Sequence, residues 1–539
     1  MAKAGEREPL REKATESDDK PVAWWWRLRS RYLAHRLGRL SARTITASVK
    51  SPGKCLSIAA LAVVLATPIF APSYNRPPPH YAALESRCRA TTASGAPGPG
   101  CANPGNEKIF ISATLYDPEG DLVNGAWGES VLELITLVGY DNVFLSIYEN
   151  AGGAKEEMAL AELKGKLRCR HALVHDGSHH GSSSSDKPQP EPEMQLQGGG
   201  DFASFVLPDG STRRSKRLAY LSEMRNRALR PLDVSVGPDA ARYDKVVFLN
   251  DIAFRAIDAA HLIFNTNVGE EDGKTHYLAA CGLDYFTPFL YYDTFALRDV
   301  EGYSTGVPMF PIFTRAGRGI SRAAMLAETD AVPVASCWGG IVSVEARHVQ
   351  NALPSLSRPG FREVGHHVVQ PASPRNATAP VRFRYEPDMF YEACECCLFL
   401  ADVSQVAKGN DGHVPAADAN VGVYVNPYVR VVYRPDMLRW MRWAQKWERL
   451  FVIPQAILSR VAGMPKHNPH RGLWEGDDFM EEVWVGEGAD GHWEQVRRRA
   501  RSGMFCGTRK MLTIEPGDHA GNANWQSLKI PGGQTLQFG

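Results

Sequence analysis

The chain has 539 residues, 44% apolar and 22% charged, with a formal net charge of +1. That balance excludes a disordered chain and a basic protein that coats nucleic acid, and the length suits one large catalytic domain or two ordinary ones. The total hides an asymmetry: residues 1–54 carry 13 Lys and Arg against 6 Asp and Glu, a net of +7, and the rest carries 48 against 54, a net of −6.

Residues 21–84 contain no acidic group, and within them residues 55–71 carry no charge at all. Such a run, as a helix, rises about 25 Å, the lower limit for a bilayer core. Trp24, Trp25 and Trp26 lie upstream, where they suit a membrane interface or a short amphipathic helix. A long basic leader argues against a cleaved signal peptide, and a buried core helix needs no one-sided basic flank. The run is therefore expected to be a transmembrane signal anchor. The positive-inside rule then makes 1–54 a cytosolic tail and places 72–539 in the secretory lumen. A span this short suits a thin, early secretory membrane.

Nine cysteines follow the run. An oxidising lumen favours disulfides, and an odd number leaves at least one thiol free or shared between chains. Cys394, Cys396 and Cys397 are too closely spaced for the usual zinc knuckle. Asn376-Ala-Thr378 is a glycosylation sequon.

Residues 72–106, rich in Pro, Gly, Ser and Ala, read as a stem. Strands are expected at 108–115, 142–148 and 171–175, with a helix through Trp127, Val131, Leu134, Ile135 and Val138 and another at 154–168. Residues 177–210 read as a flexible insertion. A helix from Arg213 to Arg227, a strand at 243–251 and a helix at 256–265 follow. This alternation predicts an α/β fold with a doubly wound, mainly parallel sheet. Ligands gather at the carboxyl ends of such strands, which puts 112–117, 149–153 and 250–251 on one rim. Mixed strands and long loops are expected to about 435, then one helix at 436–459 bearing Trp440, Trp443 and Trp447. The catalytic domain is thus 107–460, and 461–539 is a C-terminal extension with little periodicity.

Four groups of residues could carry chemistry. Asn250-Asp251 closes an apolar strand, where a carboxylate can hold a divalent cation against two phosphates, or simply cap the next helix. Asp293, Arg298, Asp299 and Glu301 lie within ten residues after an aromatic run. They offer acids to a metal or a sugar hydroxyl, or form an exposed turn with a local ion pair. Arg225 falls on the apolar stripe of its helix with Arg214, so it needs a partner: a diphosphate or a structural carboxylate. Trp338-Gly339-Gly340 lets backbone approach a ligand or turns at a strand edge, and the acidic stretch that includes Glu395 follows. The chain has no serine-hydrolase elbow, P-loop, zincin motif or dinucleotide fingerprint.

These segments resemble the fungal α-1,3-mannosyltransferase family that includes the cryptococcal capsule-associated proteins. The resemblance rests on nine short pieces in order across about 107–435, among them Asn142-Val-Phe-Leu-Ser-Ile-Tyr-Glu-Asn150, Val246-Val-Phe-Leu-Asn-Asp251, Ala280-Cys-Gly-Leu-Asp284, Tyr292-Asp-Thr-Phe-Ala-Leu-Arg-Asp299, Ser336-Cys-Trp-Gly-Gly-Ile341 and Glu395-Cys-Cys397. It implies a type II Golgi membrane protein with a GT-A-like nucleotide-sugar-binding fold, GDP-mannose as donor, an α-mannoside acceptor and Mn²⁺ or another divalent cation. Transfer from an α-linked donor to an α-linkage is retaining. The resemblance implies Asp251, with Asn250, as the metal element. It implies Ser112, Glu149, Arg225, Asn226, Asn250 and Trp338 around the donor, and Asp293, Arg298, Asp299 and Glu395 as catalytic candidates. Gly339 departs from it, where a larger polar residue such as Asn is expected, and the 177–210 insertion is unusually long.

Two other classes stay open. A non-catalytic subunit of a glycan-assembly complex would explain the missing second carboxylate; on either reading, association with other Golgi glycosyltransferases is expected. A glycosidase would need two cleft carboxylates and no nucleotide.

Overall fold

The computed structural model describes residues 52–89, 98–149, 153–175, 204–206, 213–234, 242–350, 380–408, 422–486, 488–514, 525–536 and 538. The Trp24–Trp26 cluster, the tail up to residue 51, the Asn376 sequon and most of the 177–210 insertion lie outside the described residues.

The apolar run lies in helix α1 (Pro52–Phe70), whose described side chains are mostly exposed, among them Leu56, Leu61, Val63, Leu65 and Phe70. Among the described residues no helix is long and apolar enough to cross a membrane. Within the stem, α2 (Pro79–Arg89) buries Tyr81, Leu84 and Cys88, and Cys88 is disulfide-bonded to Cys101.

Strands and helices then alternate as the periodicity predicts. They are β1 (Ile109–Leu115), α3 (Ala126–Val138), β2 (Val143–Glu149), α4 (Ala154–Lys166) and β3 (Arg170–His175). A short hairpin, β4 (Ser204–Val206) with β5 (Arg213–Ser215), precedes α5 (Arg217–Ala228) and α6 (Arg230–Val234). Arg214 therefore lies on a strand and not on the stripe that carries Arg225. Next come β6 (Lys245–Leu249), α7 (Ala256–Asn265) and the long β7 (Tyr277–Thr287).

The second half is less regular. Short strands β8 (Leu290–Tyr291) and β9 (Arg298–Asp299) are followed by α8 (Ile320–Leu326), β10 (Val332–Ser336), β11 (Ile341–Glu345), β12 (Glu392–Ala393), α9 (Glu395–Lys408) and β13 (Gly422–Val432). The helix expected at 436–459 is two helices, α10 (Pro435–Gln445) and α11 (Val452–Val461). Pro454 explains the break: its ring nitrogen cannot donate into a continuous helix, but in the first turn of a new one no such bond is needed.

The central sheet has the order β3-β2-β1-β6-β11-β7-β13-β10-β9. The pairs β3/β2, β2/β1, β1/β6 and β7/β13 are parallel; β11 and β10 pair antiparallel with their neighbours. On this path only β10 and β11 run against the rest, so the sheet is largely parallel in strand direction. Alternation along the strands sends Phe110, Phe248 and Cys281 into one core, with Leu229, Leu398 and Phe399 from the helices over it. Ile109, Ile111, Val247 and Leu249 face a second core with Trp127, Leu160 and Leu262. Both faces are thus covered, as a parallel sheet requires.

Residues 461–539 do not stand apart from the domain. β12 pairs with β14 (Gly507–Thr508), and Cys397 is disulfide-bonded to Cys506.

Candidate active site

The rim at the carboxyl ends of β6 and β7 gathers most of the singled-out polar residues. β6 is buried throughout and delivers Asn250 and Asp251 as the chain leaves the sheet. Asn250 is fixed on three sides. Its N–H donates to Gly340 O at 2.9 Å, and its carbonyl accepts Trp127 Nε1 at 2.9 Å. Its side-chain Oδ1 accepts Trp338 Nε1 at 3.1 Å and Arg225 Nη1 at 3.4 Å.

Gly339 and Gly340 have φ of +58° and +73°. A Cβ on Gly339 would lie 2.1 Å from Gly282 O. A larger residue expected there does not fit this backbone, and the glycine is what lets the Trp338 loop lie against β7. Cys337, next to Trp338, is disulfide-bonded to Cys281 of β7.

Arg225 reaches the rim from α5. Its guanidinium carbon sits 4.7 Å from the Trp338 ring centroid and 5.5 Å from that of Phe383. Its Nε donates to Glu395 Oε1 at 3.3 Å. Of the two partners open to it, a carboxylate is therefore present. Burial works against its charge, but Cys396, Glu395 and Cys394 around it hold its pKa above the usual value. Cys394 and Cys396 are free, buried thiols whose Sγ atoms lie 3.7 and 3.4 Å from Glu395 oxygens.

Carboxylates crowd the same rim. Asp251 is solvent-exposed, yet the protein around it removes enough water to raise its pKa, an effect Arg225 opposes. Asp284, fully buried, accepts Asp293 N–H at 3.2 Å and the Tyr433 hydroxyl at 3.1 Å. Burial, then Asp293, pushes its carboxyl up to about 8. Asp293 is raised chiefly by burial, with Glu395 adding, while its Oδ1 accepts the Ala296 and Phe295 N–H groups at 2.9 and 3.2 Å. Tyr433 feels Asp284, Asp251 and Asp293 together, so these acids share one locality. An exposed carboxylate beside further acids, with Arg225 as the guanidinium among them, fits a divalent cation on Asp251 and a diphosphate on Arg225.

Other predicted residues are used differently. Ser112 is buried in mid-strand, in register with Ser146 and Phe248, short of the rim. Glu149 does end β2, but it is buried, accepts the Asp117 N–H at 3.4 Å and lies 3.3 Å from His175 Nδ1. With Glu156 these residues form a compact acidic–imidazole group. Asn226 spends its amide on the Phe383 backbone at 2.8 and 2.9 Å. Arg298 gives four hydrogen bonds to the carbonyls of Phe295, Leu297, Phe505 and Cys506, and Asp299 caps the Glu301 and Tyr303 N–H groups. Arg298 nonetheless acts on Asp293 at the rim, opposing the rise in its pKa. Burial still raises Asp299 to about 6.

The sequence reading missed Asp284, Tyr433 and Trp127. No chain break marks Asp284, because the strand that carries it runs on to Thr287.

No curated protein matches the chain. Among the solved structures that superpose on the chain, two do so loosely. One is a mannosyltransferase, PcManGT from Pyrobaculum calidifontis, in complex with GDP-Man and Mn²⁺: 12% identity, 76% of this chain and 86% of that one, TM-score 0.27. The other is mannosyl-3-phosphoglycerate synthase from Rubrobacter xylanophilus: 10% identity, 74% and 88%, TM-score 0.25. Superpositions this loose locate no site. The family described as Cryptococcal mannosyltransferase 1, by contrast, matches residues 108–402, more than half of the chain and every element that builds the rim except Tyr433. The chain belongs to that family and is a glycosyltransferase of the mannosyltransferase kind.

Proposed function

We propose that the protein transfers mannose from GDP-mannose to an α-mannoside, forming an α-1,3 linkage with retention, and that a divalent cation, Mn²⁺ first, assists. The observation that carries this reading is the junction of Arg225, Asn250 and Asp251 at the end of a buried strand, amid more carboxylates than cations. Asp251 would hold the cation, which would offset charge on the departing diphosphate. Among the described residues Arg225 engages Glu395 through Nε and Asn250 through Nη1, and Nη2 is the donor that would meet a phosphate oxygen. Trp338 packs over the guanidinium and keeps it aimed. The acceptor has support in exposed rings beside Asp293: Phe286 and Tyr292 stack at 6.2 Å, and Tyr433 follows at 4.7 Å from Tyr292. Such faces suit sugar rings. No side-chain nucleophile is assigned.

We also propose a Golgi membrane location, with α1 and its basic leader as a type II anchor and the domain luminal. Three disulfides among the described residues favour an oxidising compartment.

The test is incubation with GDP-mannose, Mn²⁺ and short α-mannosides, reading product mass and anomeric configuration. Metal-dependent mannose addition with an α-product supports the reading. A β-product would refute retention. A second reading, a non-catalytic glycan-assembly subunit, is favoured by one observation: Asn250 Oδ1 is already held by Trp338 and Arg225, so one carboxylate is left in the metal element. Absence of both transfer and metal-dependent GDP binding would select it.

A further inference from the structure

Helix α11 is built the wrong way round for water. Its buried residues are polar, Gln455 and Ser459, and its outward ones are Ile453, Ile457 and Val461, exposed by 71, 57 and 80%. The buried pair has good reason to be polar. Gln455 accepts Arg322 Nη1 at 2.7 Å and donates to Ile312 O at 3.1 Å, and Ser459 Oγ accepts Val307 N at 3.0 Å. The outward residues recur every four positions, so they form one continuous apolar stripe. Among the described residues nothing covers this stripe.

Its surroundings point to what covers it. Helix α10, which precedes it by one short turn, exposes Trp440 and Trp443, with Arg439, Arg442 and Lys446 exposed between and beyond them. The apolar α1 leaves the domain at the same place: it packs on the turn at Glu448–Phe451, and Ser73 N–H donates to Gln445 O at 3.4 Å. A cavity of about 780 Å³ opens between α10, the stem and the start of α7. Its lining includes Arg255, Arg439, Arg442 and Lys446 against the acids Glu85 and Asp258. Exposed tryptophans, long cationic side chains and an aliphatic stripe on neighbouring helices are the composition of a surface that lies in a bilayer's headgroup layer.

We propose that the face formed by α10 and α11 seats the domain on a phospholipid bilayer. Ile453, Ile457, Val461, Trp440 and Trp443 enter the interfacial layer, and Arg439, Arg442 and Lys446 at the mouth of the cavity take headgroup phosphates. This is a second contact, separate from α1, and it holds whether or not α1 crosses the membrane. It fixes the height of the catalytic rim, because Tyr433 lies two residues before α10.

The test is flotation of the full chain with vesicles of phosphatidylcholine alone or mixed equally with phosphatidylserine. The unsubstituted chain floats with both. A chain with α1 made polar by Leu61→Arg and Val64→Arg floats with the phosphatidylserine vesicles only and is released by high salt. Adding Trp443→Ala and Ile457→Glu lowers its floated fraction roughly ten-fold. These side chains are exposed, so circular dichroism should be unchanged; Val461→Glu serves as a second variant. If the α1 variant floats with no vesicle while the unsubstituted chain does, the docking face is overturned and the anchor stands. If the added substitutions change nothing, the face is likewise overturned. If the unsubstituted chain floats with neither, anchor and face both fall. A non-floating α1 variant that sediments as a dimer dissociated by Ile457→Glu would give the face to a second copy of the chain.

Discussion

Two regions of this molecule bury charge in opposite ways. Behind the rim, Arg384 closes on Asp402 through two hydrogen bonds at 2.6 and 2.9 Å, and Arg430 closes on Glu448 in the same fork. Each guanidinium has its own carboxylate, and little charge is left over. At the rim, Asp251 and Glu395 flank Arg225, Asp293 adds a further acid, burial pushes the Asp284 carboxyl up to about 8, and the nearby Arg298 spends its donors on carbonyls. The paired region is electrically complete without a ligand. The rim is not, and the deficit has the sign that a metal cation would fill.

The comparison can be broken at either end. The largest effect is expected in the paired region: Glu448→Ala leaves Arg430 buried and alone, costing about 3–5 kcal/mol in denaturant unfolding. Replacing both partners of Arg384–Asp402 by apolar residues of similar volume should cost far less. If the single and double changes cost the same, the pairs do not behave as closed units. At the rim, Asp251→Ala should lower GDP release on the order of a hundred-fold or more with an unchanged melting temperature, since the side chain is exposed. Full Mn²⁺-dependent transfer by that variant would remove the metal assignment. Arg225→Lys keeps the charge but loses the fork and the stacking on Trp338, so a fall of roughly ten-fold is expected, with KM for the donor rising.

The effect read in the smallest steps is a pH slope. Asp284 keeps its proton in the native state up to about 8, whereas the unfolded chain releases it near the usual 3.8. Between those values the native state binds more protons, so stability falls as pH rises through the window, by at most about 1.4 kcal/mol per unit. Asp284→Asn should flatten that decline in metal-free thermal melts. An unaltered slope would mean that Asp284 ionises normally.

The region from β1 to α7 was largely legible because most elements there announce themselves, by apolar runs for strands and helical spacing for α3; the hairpin of β4 with β5 did not, and β6 pairs with β1 rather than with β3. Beyond β7 that stops holding. β11 inserts between β6 and β7 although it comes much later in the chain, and β8 and β9 are two residues long, below what any periodicity can reveal. The site followed the same division. Asn250, Asp251 and Arg225 could be found from a strand end and a misplaced charge. Asp284 sits inside an eleven-residue strand, so no chain break marked it. Glu149 satisfied the strand-end rule and still turned inward, because His175 and Glu156 lie beside it.

The Cys281–Cys337 bond spans 56 residues and joins the strand bearing Asp284 to the loop bearing Trp338. Closing a loop of that length restricts the unfolded chain by about 4 kcal/mol in the chain-entropy view. Its less obvious effect is on production. Made in a reducing cytosol, the chain could assemble β1, β2 and β6 from their own apolar sequence and pass as folded. The tie that sets Trp338 over Arg225 would be missing, and soluble yield would then be a poor guide to how much of the preparation can work.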